Sequence, residues 1–219
     1  MKMKITGFLT TLIRIAGMLC LSFSLAAEES AEFFLQQKLE NINSLSVNFN
    51  QTVQSRQGRN LQENRGRFKV TEDGHFLWET FEPFPQLILS DSITIWVYDP
   101  DLEQVTIKTA VHHSVNTPMM MFSGDKAAFL ENFTIKYSVN EQGLSVFRLE
   151  PEQTDNLFLF LEVFFADDKP VKLLISDSLQ QITTLSFSEV DINPQIDRRV
   201  FQFQIPDNVD IIDERVGEK

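Results

Sequence analysis

Hydrophobic residues follow a helical period in one early segment of the chain and a period of two in most of what comes after. Over residues 30–45, which begin with a suitable N-cap serine, apolar side chains approximate the 3.6-residue repeat of an amphipathic helix. They are Phe33, Phe34, Leu39 and Ile42. Over residues 45–53, apolar and polar side chains alternate, which is typical of a strand with one buried face. The pattern predicts a helix followed directly by a strand.

Short alternating segments separated by turn residues continue almost to the C terminus. They cover residues 66–70, 75–81, 86–90, 92–98, 104–109, 133–139, 144–149, 157–165, 171–176, 182–189 and 200–204. The polar stretch 54–65 predicts a long turn, and Asp73-Gly74 predicts a hairpin. We therefore expect one large antiparallel sheet in a mainly β protein, which must close on itself, form a sandwich or have its apolar face covered.

The alternation breaks at residues 116–132. Thr117-Pro118 is typical of a helix start, and a second short helix is predicted at residues 125–130 with Asp125 as its cap. Between them lies the run Met119-Met120-Met121-Phe122. Flexible thioethers suit a lid that closes over apolar partners of variable shape, but a fully buried helix would give the same pattern, and the spacing leaves both open.

The chain is unusually rich in one aromatic residue, with 20 phenylalanines against two tyrosines and two tryptophans. Phenylalanine has no polar group to satisfy, so this composition indicates either a rich core or a cavity for an apolar ligand.

The first 26 residues have the features of a secretory signal: early positive charge, a short apolar core, and small residues before Ala26. Cleavage after Ala27 would be almost equally suitable. The remaining residues, 27–219, form one predicted domain in the bacterial periplasm. The one cysteine, Cys20, lies within the signal, so we expect neither a disulfide nor a lipid anchor.

Charge and residue inventory argue against several classes of function. The formal net charge of −12 disfavours nucleic acid as a partner. The three histidines, with no cysteine after the signal, leave little material for a catalytic site, and His112-His113 is better interpreted as an exposed loop than as a metal site. We expect no catalytic residue, no metal site and no cofactor, and therefore no enzymatic activity.

Several segments, in the same order, resemble the LolA family of periplasmic lipoprotein carriers. They are Gly66, Phe76-Leu77-Trp78-Glu79, Pro83-Phe84-Pro85-Gln86, Ser90-Asp91, the long match over residues 95–105, and Asn116-Thr117-Pro118. The resemblance implies an unclosed antiparallel β-barrel with a helical lid, whose interior receives the acyl chains of lipoproteins. Such a carrier takes its cargo from an inner-membrane ABC transporter complex and delivers it to an outer-membrane lipoprotein receptor. We expect the chain to act as a monomer.

Alternation together with the resemblance selects candidate residues for the apolar inner wall and for the lid. The wall candidates are Phe49, Phe68, Val70, Phe76, Trp78, Leu87, Leu89, Ile95, Val97, Phe133, Phe147 and Leu149. The lid candidates are Phe33, Phe34, Met119, Met120, Met121 and Phe122. A shift of one residue in the register of a strand would reverse which side chains face inward.

One departure from the family pattern concerns lid closure. The family has Arg-Pro in the hairpin before the Phe-x-Trp strand, where this chain has Glu72-Asp73. The family's arginine ties the barrel to the lid, so the closed state of this chain must be held differently. Two other functions fit the same fold: a half-barrel sensor that binds lipid or a protein partner to regulate signalling, and a carrier of other lipids or glycolipids.

Overall fold

The structure is a computed structural model, and it describes residues 22–110, 118–153 and 158–215. Its α-helices are α1 (Ser22–Glu40) and α2 (Lys126–Leu130), with 3-10 helices at Pro118–Phe122 and Arg198–Phe201. The strands are β1 (Ser44–Gln54), β2 (Asn60–Thr71), β3 (His75–Glu82), β4 (Gln86–Asp91), β5 (Thr94–Asp99), β6 (Gln104–Thr109), β7 (Phe133–Val139), β8 (Ser145–Pro151), β9 (Phe158–Ala166), β10 (Lys169–Asp177), β11 (Ile182–Ile192) and β12 (Asp210–Asp213).

The strands form a single sheet in the order β12-β6-β5-β4-β3-β2-β1-β11-β10-β9-β8-β7. Neighbours are antiparallel except β12, which runs parallel to β6. The outermost strands, β12 and β7, do not pair with each other among the described residues, so the sheet does not close into a barrel. The prediction of a mainly β fold with an unclosed antiparallel sheet and a few helices is confirmed.

Three element predictions were wrong in their bounds. Helix α1 runs from Ser22 to Glu40, and not over residues 30–45, because the chain turns after Glu40 and enters β1 at Ser44. The polar stretch 60–65 is a strand, since β1 and β2 keep pairing through polar side chains such as Asn64, whose amide donates to Gln51 Oε1 at 3.1 Å. Residues 198–201 form a 3-10 helix in place of the predicted strand at 200–204.

Residues 1–21 of the predicted signal lie outside the described residues. None of the described helices is long and apolar enough to cross a bilayer.

Cross-strand pairing assigns alternate residues to an inner and an outer face of the sheet. The inner face carries Phe68, Trp78, Ile88 and Val97 in one continuous row. On the other half of the sheet it carries Leu185, Leu173, Val163 and Phe147 in another. Helix α1, the 3-10 helix Pro118–Phe122 and α2 pack on this face, and we call them together the helical cover.

The outer face is also apolar between β3 and β6. Leu77, Leu89, Trp96 and Ile107 form its central row. The chain after β11, over residues 194–205, packs on this row, with Phe201 fully buried against Leu77 and Leu89. We call this segment the strap.

Gly66 permits an aromatic stack in the middle of the inner face. It lies on β2 between Phe49 and Thr80, and the Phe49 ring passes over it to stack on Trp78 with centroids 4.2 Å apart. A Cβ atom at residue 66 would lie 2.0 Å from the carbonyl oxygen of Glu79 and 2.5 Å from the Phe49 ring. Only a residue without a side chain fits this position.

We expect Gly66→Ala to lower the free energy of unfolding by about 3 kcal/mol or more, because the methyl group must displace backbone as well as the Phe49 ring. Urea denaturation followed by tryptophan fluorescence measures the change, and Trp78 reports the loss of stacking directly. Gly58→Ala is the control: its φ of +77° is strained for alanine, but a Cβ there meets nothing within 4 Å. A cost of only about 1–2 kcal/mol is expected for it. Equal costs for the two variants would contradict the packing argument.

Candidate apolar binding face

The inner face divides into a part that the cover buries and a part that it leaves half-exposed. The inward apolar side chains of β1, β2 and β7–β10 are buried in one cluster together with residues of the cover. The cover contributes Ala31, Leu35, Leu39, Met121 and Phe122 to that cluster. This part of the wall is therefore filled by the protein's own side chains.

The half-exposed part lies on β3, β4 and β5. Phe76 and Trp78 are half-buried and pack at the margin of the main cluster. Ile88, Ile95 and Val97 are also half-buried and belong to neither of the apolar clusters formed by the described residues. We call these five residues the inner strip. The strip is an apolar surface without a complete covering, and it borders the helical cover.

Ten of the twelve wall candidates lie on the inner face. Those buried beneath the cover are Phe49, Phe68, Val70, Phe133, Phe147 and Leu149, and those on the strip are Phe76, Trp78, Ile95 and Val97. Whether these residues contact a ligand stays a prediction.

The placement of Leu87 and Leu89 on the inner wall was wrong. Leu89 pairs with Leu77 and packs on the strap, and Leu87 lies beside it on the outer face. The inward residue of β4 is Ile88, which pairs with Trp78 and was missed. Because β4 reads Leu-Ile-Leu and has apolar neighbours on both faces, alternation could not assign its register.

The lid candidates fall into two groups. Met119, Met121 and Phe122 are buried against the inner wall, as predicted for residues facing it, whereas the side chain of Met120 lies outside the described part of the chain. Phe33 and Phe34 were wrongly placed, since they are 59% and 48% exposed. They are rotated by about 200° and 100° around α1 from its buried Leu35. The buried stripe is Ala31, Leu35 and Leu39, and its spacing of four residues was the signal that could have revealed it.

The β2–β3 hairpin holds the cover through its backbone. The Ser123 hydroxyl donates to the carbonyl of Thr71 at 3.0 Å, and the Gly124 N–H donates to the carbonyl of Glu72 at 2.9 Å. The Glu72 N–H in turn donates to the backbone carbonyl of Asn43 at 2.7 Å, and Asn43 lies at the junction between α1 and β1. The position that carries arginine in the family thus contacts the cover here through main-chain atoms.

A buried lysine supplies the positive charge in this region. Lys126 of α2 donates from Nζ to the carbonyls of Leu39 at 2.8 Å and Ile42 at 2.5 Å, where α1 ends. Burial lowers the pKa of Lys126, and the negative charges of Glu72 and Glu40 oppose that shift. An ammonium group beside the C-terminal carbonyls of a helix is also favoured by the helix dipole. Lys126 therefore joins α1 to α2.

The same hairpin is tied to the strap on the outer side. Asp73 forms an ion pair with Arg198 at 2.5 Å, and its other oxygen accepts from Thr71 and contacts His75. Partial burial raises the pKa of Asp73, but the hydrogen bonds with Thr71, His75 and Arg198 outweigh it and lower the pKa to about 2. The carboxylate is ionised at any pH near neutrality.

Among residues 22–110, 118–153 and 158–215, no three histidine, cysteine or carboxylate side chains lie close enough together to hold a metal ion. His112-His113 lies outside these residues.

Comparison with known proteins identifies the family. The model of the outer membrane lipoprotein carrier protein LolA matches residues 40–204. The chain belongs to the LolA family. An outer-membrane lipoprotein carrier protein of Hahella chejuensis is 38% identical over 192 residues, covering 87% of this chain and 92% of that protein. One from Alcanivorax borkumensis is 33% identical, covering 93% of this chain and 98% of the relative.

The fold of this LolA-family chain is also similar to that of an uncharacterized conserved protein from Thermus thermophilus. The TM-score is 0.50 at 13% identity, with 82% of this chain and 97% of that chain covered.

Lys126→Met should lower the free energy of unfolding by about 2–4 kcal/mol, because two buried carbonyls at the end of α1 lose their donor. Lys126→Arg should recover part of the loss, since it retains donors and charge. Urea denaturation measures both, and limited proteolysis of α1 localises the effect. Lys169→Met, at an exposed lysine, is the matched control and should change little. Equal stabilities of the two methionine variants would show that Lys126 does not hold α1.

Asp73→Asn should destabilise the fold near neutral pH by about 1 kcal/mol, a value reduced for screening because the Asp73 side chain is 43% exposed. The folded-state pKa of about 2 lies below the ordinary aspartate value of 3.8, so the carboxylate's contribution is present above pH 4 and is lost as the pH falls towards 2. Urea midpoints of the two proteins should therefore differ at pH 6 and converge as the pH falls below 4. A difference independent of pH would contradict a role for the charge.

Proposed function

We propose that this chain is a periplasmic lipoprotein carrier whose inner face shelters the acyl chains of its cargo. The observation that carries this proposal is the inner strip, with Ile88, Ile95 and Val97 half-exposed beside a helical cover that polar contacts hold at a few points. The relatives from Hahella chejuensis and Alcanivorax borkumensis are outer-membrane lipoprotein carrier proteins, which supports the same cargo. Transfer of an acyl chain from water to an apolar site gains about 0.8 kcal/mol per methylene, so such a surface suffices for binding without a polar clamp.

The cover would act as the lid of the carrier. Lys126 would keep α1 and α2 together as one body, while the Ser123 and Gly124 contacts with the hairpin would break on opening. Opening would expose the buried wall around Phe49 and Phe147 to the cargo. Met119 and Met121, which now fill that space, could repack against acyl chains because the methionine side chain adapts to irregular surfaces.

The finer parts of the proposal concern the route of the cargo. The signal at residues 1–26 would direct export and be removed. The carrier would receive lipoproteins from an inner-membrane ABC transporter complex and deliver them, as a monomer, to an outer-membrane receptor. It would perform no chemistry on them. Mass spectrometry of ligands that co-purify from the native periplasm distinguishes lipoproteins from other lipids and glycolipids.

The carrier function is tested by release of lipoproteins from spheroplasts, together with displacement of a fluorescent fatty-acyl probe from the purified protein. The unmodified protein should release lipoproteins and bind the probe. The variant Ile88→Glu should lower the affinity for the probe at least tenfold, because the acyl chain must desolvate the carboxylate introduced into the strip. Ile93→Glu is the matched control, since Ile93 is 71% exposed in the β4–β5 turn and should leave affinity unchanged. Probe binding without release would favour a sensor, and equal effects of both variants would remove the strip from the binding site.

A further inference from the structure

The turns at the end of the sheet away from α1 include an arginine-rich hairpin. Strand β1 begins beside α1 at Ser44 and ends at Gln54, about 35 Å away. Residues 54–67, which span the end of β1, its turn and most of β2, contain four arginines and one glutamate in a chain whose net charge is −12. Positive charge is thus concentrated at one end of an acidic protein.

Three of these arginines lack the ion pairs that the other arginines of the described chain form. Arg67, Arg148, Arg198, Arg199 and Arg215 each form an ion pair with a carboxylate. Arg56, Arg59 and Arg65 have no carboxylate within ion-pair distance among the described residues. All three lie on the β1–β2 hairpin, so its charge is available to an external anionic partner.

Exposed aromatic side chains lie directly beside this hairpin. Strand β3 joins β2 through the pair Arg65 and Glu82, and the turn that follows it exposes Phe84 by 69%. Phe81 is 46% exposed, with the Arg67 guanidinium 5.9 Å from its ring centroid. Leu61 is exposed on the adjoining part of β2. We call Arg56, Arg59, Leu61, Arg65, Phe81 and Phe84 the distal tip.

We propose that the distal tip docks on the surface of an anionic phospholipid bilayer. Guanidinium groups bind phosphate oxygens in a bidentate manner, which suits lipid headgroups. Aromatic and leucine side chains on projecting turns can enter the interfacial region of the bilayer. These exposed side chains come from two strands and two turns, so a deformable lipid surface accommodates them better than a rigid partner would.

The charge around other exposed apolar residues supports this choice. Phe33 and Phe34 on α1 are as exposed as Phe81, but Glu32 precedes them and Glu40 follows on the same helix. An anionic membrane would repel that patch and attract the distal tip. Glu82 lies between Phe81 and Phe84, but Arg56, Arg59 and Arg65 on the adjoining hairpin outnumber it.

This inference rests on the proposed carrier function and adds a lipid surface to its partners. Trp78 of the inner strip lies three residues before Phe81 on β3, about 10 Å along the strand. Docking at the tip would place the cargo on the inner strip near the membrane that supplies or receives it. The acyl-binding surface and the membrane-binding surface remain separate sets of residues.

Cosedimentation of the purified full chain with vesicles tests the proposal. The protein should bind vesicles of phosphatidylethanolamine and phosphatidylglycerol at 3:1, bind phosphatidylcholine vesicles at least tenfold more weakly, and lose affinity in 0.5 M NaCl. The variants Phe81→Ser/Phe84→Ser and Arg56→Gln/Arg59→Gln should each weaken binding about tenfold or more. Ile93→Ser and Lys169→Gln, at equally exposed positions elsewhere, should bind like the unmodified protein.

Three outcomes would overturn the proposal. They are the absence of vesicle binding, tip variants that bind as tightly as the controls, and Ile88→Glu abolishing vesicle binding, which would mean that lipid enters the inner strip. If the protein does not bind protein-free vesicles but the tip variants impair delivery of lipoproteins to receptor-containing outer membranes, the tip contacts a protein and not the lipid. Probe displacement by the tip variants should remain normal, so a failure of the carrier function is detected independently.

Discussion

The structure is governed by one constraint: a twelve-stranded sheet that is apolar on both faces over part of its width and does not close on itself. The outer face between β3 and β6 is buried by the strap, which contributes the fully buried Phe201. The inner face depends on three helical elements, α1 and two of five residues each, contributed by two separate stretches of chain. Twelve strands need more cover than these elements provide, so part of the inner face is left half-exposed. That shortfall leaves the inner strip as an apolar surface without a complete covering.

The β2–β3 hairpin is the point at which the two coverings meet. Its main chain accepts hydrogen bonds from Ser123 and Gly124 of the cover, and its Asp73 side chain pairs with Arg198 of the strap. The His75 ring, next along the chain, lies 5.5 Å from that of Phe201. A movement of the cover is therefore coupled to a hairpin that the strap holds in place from the other side. The strap thus holds, from the outer side, the hairpin on which the cover rests.

Much of the sheet could be predicted because most strands have one apolar and one polar face. Strand β1 shows this clearly, with Leu45, Val47 and Phe49 inward. Prediction failed where both faces are apolar, as in β4, since a covering segment from a distant part of the chain removes the alternation that would set the register. It also failed for β12, whose four residues are all exposed and which exists because of pairing with β6.

The candidate site was harder to predict than the fold, for reasons that particular residues illustrate. Phenylalanine was taken as the marker of the buried side of α1, but Phe33 and Phe34 face solvent while the small Ala31 faces the core. Ile88 was missed because its neighbours Leu87 and Leu89 are equally apolar. Sequence patterns identify faces of elements, but which face is covered depends on contacts between distant segments. The resemblance to a family fixed the architecture and left those individual side chains undecided.

The contacts that hold the cover determine what its opening would cost. The charge of Lys126 lies within the cover, and opening would break two neutral hydrogen bonds, worth about 0.5–1.5 kcal/mol each. It would also break the ion pair of Lys38 with the exposed Asp168, worth at most about 1 kcal/mol, and the hydrogen bond from Lys38 Nζ to the carbonyl of Asp167. The larger cost is the apolar surface that the cover leaves behind. An acyl chain of roughly ten methylenes would contribute about 8 kcal/mol towards covering it, which is larger than any of these polar terms.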